Sequence, residues 1–189
     1  MLTDGRHTWH WDCDVVACGY GLVLNLELPR LLGCETAADR VVLGEAQQTS
    51  IPGIFAAGEL GGVAGVDHAL VTGAIAGLAA AGRAVPAGLV RGRDRELAFG
   101  ARLSRAFTLR GELRRLARPD TPVCRCEDVA HGQLQAWSSS REAKLTTRAG
   151  MGPCQGRVCG AALAFVHGWP EGTPRPPLAP TPLGVLEQA

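Results

Sequence analysis

The sequence predicts two structural classes along one chain: an α/β segment over residues 1–82 and a small all-α segment over residues 120–168. Three observations support this division. Short apolar runs alternate with helical patterns in the first segment. A glycine-rich stretch there precedes a helix of small residues, and two close pairs of cysteines lie in the second segment. An arginine-rich linker over residues 83–119 joins the segments, and a proline-rich tail covers residues 169–189.

The composition is that of a globular protein. Of the 189 residues, 46% are hydrophobic and 20% are charged. No apolar run reaches the length of about 18 residues that a membrane-spanning helix needs. Residues 1–7 also lack the charged and apolar regions of a secretion signal. These features predict a cytoplasmic protein without a membrane span.

Charge is unevenly distributed along the chain, although the formal net charge is only +1. Residues 1–82 carry nine acids against three arginines, whereas residues 83–118 carry ten arginines against three acids. The uniformly basic surface of a nucleic-acid-binding protein is therefore not expected. The arginine block is interpreted as the solvated face of a linker helix packed on an acidic neighbour, with a basic binding patch as the alternative.

The first segment is predicted to alternate strands and helices, because its short apolar, β-branched runs end at glycines. The predicted order begins with a buried strand over 14–19, a helix over 26–32 stopped by Gly33 and a strand over 41–43. A turn over 51–53, a buried strand over 54–57 and a helix over 67–81 closed by Gly82 follow.

The linker and the second segment are predicted to be helical, from apolar residues spaced three or four apart. The linker is predicted to have a start broken by Pro86, Gly88 and Gly92, then a helix over 94–117 that is interrupted near Gly111 and ended by Pro119. The second segment is predicted to contain a helix capped by Asp128 that runs to Trp137, a helix over 141–148, a tight loop over 150–156 and a helix over 157–167. Trp137 and Trp169 are interpreted as packing residues around these helices.

The glycine-rich stretch begins where the strand over 54–57 ends. Gly58 permits a close backbone approach, and Glu59 supplies a hydrogen-bond acceptor. Gly61, Gly62 and Gly65 leave backbone N–H groups accessible to an anionic or dipolar ligand in front of the next helix. Taken alone, the pattern favours a plain strand–turn–helix crossover with a small-residue interface.

Four cysteines form the strongest candidate site. Cys124 and Cys126 are separated by one residue, Cys154 and Cys159 by four, and 27 residues lie between the pairs. The odd total of seven cysteines and the missing secretion signal argue against a disulfide framework. Thiolates select zinc, Cu(I) or iron–sulfur clusters. Structural zinc sites more often have two to four residues between paired ligands.

Glycines border the second cysteine pair, and their N–H groups can bond the sulfurs of a cluster. Three interpretations stay open from the residues alone: an iron–sulfur cluster, a structural zinc site, and four unrelated buried thiols. The other three cysteines, Cys13, Cys18 and Cys34, are interpreted as small buried hydrophobes. No Ser/His/Asp set or metal-hydrolase motif is present, so no catalytic residue is assigned.

Two stretches carry a family resemblance: VCRCEDV (123–129) and RAGMGPCQGRVCG (148–160). They resemble the bacterioferritin-associated-ferredoxin-like (BFD-like) [2Fe–2S]-binding domain at the end of certain flavoprotein subunits. These are the α or A subunits of opine oxidases, hydrogen cyanide synthase and dye-linked proline dehydrogenases. The resemblance implies that Cys124, Cys126, Cys154 and Cys159 are the cluster ligands. The linker at 103–129 and the tail at 175–186 are similar to the same subunits.

The stretch IPGIFAAGELGGVAGVDHALVTGAIAG (51–77) carries a second resemblance, to a late segment of FAD-dependent oxidoreductases with two dinucleotide-binding domains. There, an acid after a glycine bonds the ribityl chain of the flavin. The resemblance implies FAD contacts at Gly58, Glu59, Gly61, Gly62 and Gly65. His68 is interpreted as a helix-surface histidine, with an approach to the flavin as the alternative.

The opening fingerprint GxGxxG of such a flavoprotein does not occur ahead of residue 51. We therefore expect an incomplete FAD/NAD(P)-binding Rossmann-like domain, in a fragment, split gene product or truncated relative. Residues 1–82 are expected to be poorly stable alone, because a sheet without its central strands exposes apolar edges.

The implied function is electron transfer between FAD and the cluster in an amine, amino-acid or opine dehydrogenase. The small-molecule substrate is expected on a partner flavoprotein subunit. A non-enzymatic [2Fe–2S] module and a structural zinc domain are the alternatives.

Overall fold

The computed structural model describes residues 2–37, 39–170 and 172–187. Its described strands are short and form three separate antiparallel pairs. These pairs are β1 (Leu2–Thr3) with β2 (Thr8–Trp9), β3 (Thr36–Ala37) with β4 (Arg40–Val41), and β5 (Pro122–Cys124) with β6 (Val129–Ala130). The described helices are α1 (Glu27–Leu31), α2 (Val66–Ala80), α3 (Ala87–Ala106), α4 (His131–Leu134), α5 (Ser140–Thr147), α6 (Gly160–His167) and α7 (Leu183–Leu186).

Of the three strands expected in the first segment, the one over 41–43 overlaps β4 at Val41, and the other two are wrong. Residues 14–19 have no regular structure, and Val15 and Val16 are 83% and 67% exposed. Residues 54–57 form only one isolated bridge, between Phe55 and Gln48. A strand needs a neighbour for its backbone N–H and C=O groups, and within the described ranges none pairs with 14–19. The incomplete Rossmann-like domain therefore stays a prediction.

Both helices expected in the first segment are confirmed. Gly33 and Gly82 follow α1 and α2 with φ angles of +77° and +65°, a backbone conformation that favours glycine at helix ends. A small core beside α1 contains Leu26, Cys34 and Val41. Cys34 thus has the buried role expected of it, whereas Cys13 and Cys18 are exposed, which corrects their interpretation as buried hydrophobes.

Helix α3 begins at Ala87, so the expectation that Gly88 and Gly92 break the chain is wrong. The helix packs on α2, and a Cβ atom at Gly92 would lie 3.6 Å from the methyl groups of Val71. A Cβ atom at Gly100 would come within 2.7 Å of Ala64. Gly92 and Gly100 lie within α3 and allow neighbouring residues to pack closely against the helix. From the sequence alone, a glycine in this role looks the same as a glycine that interrupts a helix. A 3-10 turn over Gly111–Arg115 follows at the expected interruption.

The second segment surrounds one buried core, to which Leu134, Ala143, Leu163 and Trp169 contribute. Trp137 packs against it, so the packing role expected for both tryptophans is confirmed. Two boundaries are corrected. Asp128 lies in a turn with φ +50°, and α4 begins only at His131.

The other corrected boundary is that of α6, which begins at Gly160 rather than at Arg157, because residues 153–159 form turns. Residues 172–182 of the tail are irregular and precede the short α7. Within the described part of the chain, no helix combines the length and apolar character that crossing a bilayer requires.

Candidate cluster site and glycine-rich loop

The chain fold brings the two cysteine pairs together. Cys124 ends β5, Cys126 follows in the β5–β6 turn, Cys154 lies in the turns before α6, and Cys159 immediately precedes that helix. The sulfur atoms of Cys126 and Cys154 are 3.6 Å apart. Cys124 and Cys159 belong to the buried core, whereas Cys126 is exposed and Cys154 is half-buried. The candidate site thus runs from the core of the second segment to its surface.

Glycines in the loop at 150–156 allow the two cysteine segments to approach each other. A Cβ atom at Gly152 would overlap the Cβ atom of Cys126 and lie 3.3 Å from its sulfur. Gly150 and Gly156 have φ angles of +80° and +82°, which side-chain-bearing residues rarely adopt. The N–H of Gly150 also donates to the sulfur of Cys124 at 3.4 Å. The tight loop expected from the sequence is confirmed, and one of its N–H groups reaches a thiol.

The thiols influence one another's ionisation. The pKa of Cys154 is lowered by the N–H of Val158 and by the neighbouring Cys126 thiol. The pKa of Cys126 is raised: the backbone of Cys154 lowers it, but the Cys154 thiol, burial and Cys124 together outweigh that effect. Burial first, and then the Cys124 thiol, raises the pKa of Cys159 to about 11. The Cys124 and Cys159 thiols both lie beside Gly150: its N–H donates to Cys124, and a Cβ atom there would lie 3.9 Å from the Cys159 sulfur.

Four thiols are a ligand set that either a [2Fe–2S] cluster or a structural zinc ion takes. Four thiolates from two loops are the usual ligand set of a [2Fe–2S] centre, and sulfur-directed N–H groups such as that of Gly150 accompany them. Among the residues that the structure describes, no group of three or more His, Cys, Asp or Glu side chains is gathered closely enough to hold a metal ion.

Ion pairs flank both sides of the candidate site. Arg148 donates to the Glu127 carboxylate at 2.7 Å, which joins the loop after α5 to the turn beside Cys126. Arg157, between Cys154 and Cys159, donates to the Glu27 carboxylate at 2.8 Å. Both guanidinium groups lie in the cysteine loops but are paired with carboxylates, so they do not bring uncompensated positive charge.

The glycine-rich stretch folds as a tight loop in front of α2. Gly58–Gly61 forms a 3-10 turn, and Gly58 has a φ of +70°. The N–H of Gly58 donates to the Thr72 hydroxyl at 2.9 Å, and that hydroxyl donates to the carbonyl oxygen of His68 at 2.7 Å. Thr72 thereby ties the loop to α2, a role that sequence reasoning missed.

The other four loop residues are constrained in different ways, by lack of space for a side chain, by backbone conformation or not at all. Gly61 lies against Leu43, since a Cβ atom there would meet the Leu43 side chain at 2.9 Å. Gly62 and Gly65 have φ angles of +133° and +87°. Glu59 is exposed. These contacts explain the glycines, while the FAD contacts at these five positions stay a prediction.

His68 is the clearest buried polar residue that the sequence interpretation misplaced. It is 2% exposed, which corrects its expected place on the helix surface, and its Nδ1 has no hydrogen-bond partner among the described residues. Burial lowers the pKa of His68, against a smaller opposing effect of Glu96 on α3. The spacing of His68, Thr72 and Ile75 along α2 places all three on one buried face, a signal that was available in the sequence.

Comparison with known proteins identifies relatives over most of the chain. Hydrogen cyanide synthase subunit HcnB of Pseudomonas aeruginosa is 35% identical over an alignment that covers 77% of this chain and 36% of the relative. The A subunit of opine oxidase from Rhizobium meliloti is 34% identical, with 87% of this chain and 42% of the relative covered. HcnB of Pseudomonas protegens is 34% identical, with 77% and 35% covered.

These relatives confirm the resemblance to opine oxidase and hydrogen cyanide synthase subunits, although the chain spans only about two fifths of their length or less. No protein-family model matches the chain. No solved structure matches it either.

Proposed function

We propose that this homologue of HcnB and of the opine oxidase A subunits is the electron-transfer part of a flavin-linked oxidoreductase. In this proposal, Cys124, Cys126, Cys154 and Cys159 hold a [2Fe–2S] cluster in a BFD-like domain. The loop from Gly58 to Gly65 contacts FAD. The relatives' names, those of oxidase and synthase subunits, support an oxidoreductase role.

One observation carries the proposal: the two cysteine pairs meet in the folded chain. Cys126 and Cys154, which are 28 residues apart in sequence, have their sulfurs 3.6 Å apart. Gly152 has no room for a side chain at this contact. Four unrelated buried thiols would not need such a loop, and Cys126 is exposed rather than buried.

The chain's own residues would position and tune the cofactors. A [2Fe–2S] cluster supplies one-electron transfer when bound. Gly150 would hold the sulfur of Cys124 through its N–H, and the buried side of the site would exclude water from Cys124 and Cys159. On the flavin side, Glu59 offers an exposed carboxylate beside the backbone turn that Thr72 fixes.

Oxidation of substrate is assigned to a partner. Both relatives are named as subunits, which supports a multi-subunit enzyme. We propose a second flavoprotein subunit that binds a small amine or amino-acid substrate and delivers electrons to this chain. Accordingly, no residue of this chain is given a catalytic role.

The proposal is tested on the full chain reconstituted anaerobically with iron and sulfide. FAD is titrated in and photoreduced, and cluster reduction is followed by electron paramagnetic resonance. Each of Cys124→Ser, Cys126→Ser, Cys154→Ser and Cys159→Ser should remove the cluster signal. Cys18→Ser is the matched control, because Cys18 is an exposed thiol outside the site. A wild-type chain that binds no iron would overturn the proposal.

A non-enzymatic [2Fe–2S] module is the second candidate function. Two observations around the proposed FAD loop favour this function. Glu59 is exposed, and among the described residues no strand pairs with residues 14–19, so the segment ahead of that loop is not enclosed by a sheet. A chain that holds the cluster but never binds FAD, even beside its partner subunit, would select this function. A structural zinc domain would instead give one zinc and no iron.

A further inference from the structure

Arg157 connects the candidate cluster loop to two distant parts of the chain. Its Nε and Nη2 atoms donate to one carboxylate oxygen of Glu27 at 3.0 and 2.8 Å. Nη2 also donates to the carbonyl oxygen of Leu178 at 2.8 Å. The arginine lies 130 residues from Glu27 and 21 from Leu178 along the sequence. We call these three groups the latch.

The latch is more constrained than an ordinary surface ion pair. Exposed ion pairs with a single contact contribute little to stability, in part because holding two long side chains in one geometry costs conformational entropy. Here one guanidinium makes three hydrogen bonds, to Glu27 and to the Leu178 carbonyl, although Arg157 itself is exposed. The N–H of Arg157 donates to the carbonyl of Cys154 at 3.0 Å, so the backbone that carries the side chain belongs to the cysteine turn itself.

A cavity of about 410 Å³ lies directly beside the latch. Glu27, Arg157 and Leu178 form part of its wall, and Phe55 and Ala56, just ahead of the glycine-rich loop, form another part. The cysteine loop and the segment that leads to Gly58 therefore face the same space. Arg157 is the residue of the Cys154–Cys159 loop in this wall. Its position therefore affects how this loop is oriented towards Phe55 and Ala56.

We propose that Arg157 is a positioning residue that holds the Cys154–Cys159 loop against α1 and keeps the local charge neutral beside the cluster. This inference rests on the proposed function, because its electrostatic part concerns a bound cluster. Reduction potentials of iron–sulfur clusters depend on nearby net charge. Loss of Arg157 removes one positive charge beside the cysteine turn, whereas loss of Glu27 removes one negative charge there.

The two partners can be tested separately with Arg157→Gln and Glu27→Gln in the full chain. Both variants break the latch, so both should increase amide hydrogen exchange in α1 and around residue 178. Their effects on the cluster potential should be opposite: Arg157→Gln lowers it and Glu27→Gln raises it. The double variant should return towards the wild-type potential, and Arg157→Lys should retain that potential while protecting α1 less well.

Arg148→Gln is the matched control, since the Arg148–Glu127 pair joins two parts of the second segment only. It should leave exchange in α1 unchanged. Potentials that move in the same direction in Arg157→Gln and Glu27→Gln, or unchanged exchange in α1, would overturn the inference.

Amide hydrogen exchange is measured on the chain with and without iron. The proposed function and the role of the latch can then be contradicted independently of each other. A chain that binds no iron contradicts the proposed function. The exchange of α1 in the iron-free variants then still decides whether the latch holds the loop in place.

Discussion

Residues 120–170 and residues 2–25 show how differently two regions of one chain can be supported. In the first region, short helices and a hairpin enclose a core in which Cys124 and Cys159 are almost fully buried. In the second, Trp11, Val15, Tyr20 and Leu22 are all more than half exposed. The candidate cluster site is therefore built by contacts within its own segment, whereas no described element packs against the apolar run at 14–19.

The largest effect is expected from a single methyl group at Gly152. Gly152→Ala would push the loop away from Cys126, because the added Cβ atom overlaps the cysteine side chain. Iron incorporation during anaerobic reconstitution should fall to the level of a cysteine-to-serine variant. Iron and sulfide analysis of the purified variant measures this.

Gly160→Ala is the control for that substitution, because a Cβ atom at Gly160 meets nothing within 4 Å and its φ is negative. It should load iron like the wild type. Equal iron contents in the two variants would show that the close approach of the loops is not needed for the site.

Truncating a side chain should lower the free energy of unfolding far more in residues 120–170 than in residues 2–25. Leu134 is fully buried in the second segment, so Leu134→Ala should lower the free energy of unfolding by about 2–5 kcal/mol. Val16→Ala, in the exposed run, should change it by no more than about 0.5 kcal/mol. Urea unfolding followed by circular dichroism compares them. A large loss with Val16→Ala would mean that 14–19 is packed in solution.

A smaller effect is expected where the glycine-rich loop is tied to α2. Thr72→Val removes the acceptor of the Gly58 N–H, and a part-buried donor without a partner costs about 1–3 kcal/mol. Thr72→Ser retains the hydroxyl and should keep most of the stability. Hydrogen exchange at Gly58 is the direct readout. If Thr72→Val leaves Gly58 as protected as Thr72→Ser does, the hydrogen bond does not hold the loop.

The smallest effect concerns pH and the buried His68. Burial lowers its pKa in the folded chain, so below about pH 6.5 the unfolded chain binds more protons than the folded one. The free energy of unfolding should therefore fall as the pH drops from 7 to 5, and the slope should be shallower in His68→Gln. His7→Gln is the control at an exposed histidine. Equal slopes in the two variants would contradict a neutral His68 in the fold.

Local spacing was sufficient to predict several elements. The glycine at the end of α2, the helix over residues 140–147 and the tight loop at 150–156 follow from short-range patterns that the chain satisfies by itself. The pairing of Cys126 with Cys154 was expected from a resemblance, and the folded chain brings them together.

Other features depend on partners far away in the sequence and could not be predicted locally. The run at 14–19 has a strand-like composition, but a strand also requires a neighbour. The start of α3 depends on α2, against which Gly92 packs. The Arg157–Glu27 ion pair spans 130 residues, and neither residue type nor spacing points from one to the other.

The proposal that the four cysteines hold a [2Fe–2S] cluster can be tested directly by the metal content of the chain. The full chain is purified without oxygen, and the amounts of iron, acid-labile sulfide and zinc per chain are measured. The electron paramagnetic resonance spectrum of the reduced sample is recorded as well. Iron and sulfide are expected in equal amounts, about two of each per chain, with a signal that Cys154→Ser abolishes. One zinc per chain without iron or sulfide would contradict the proposal.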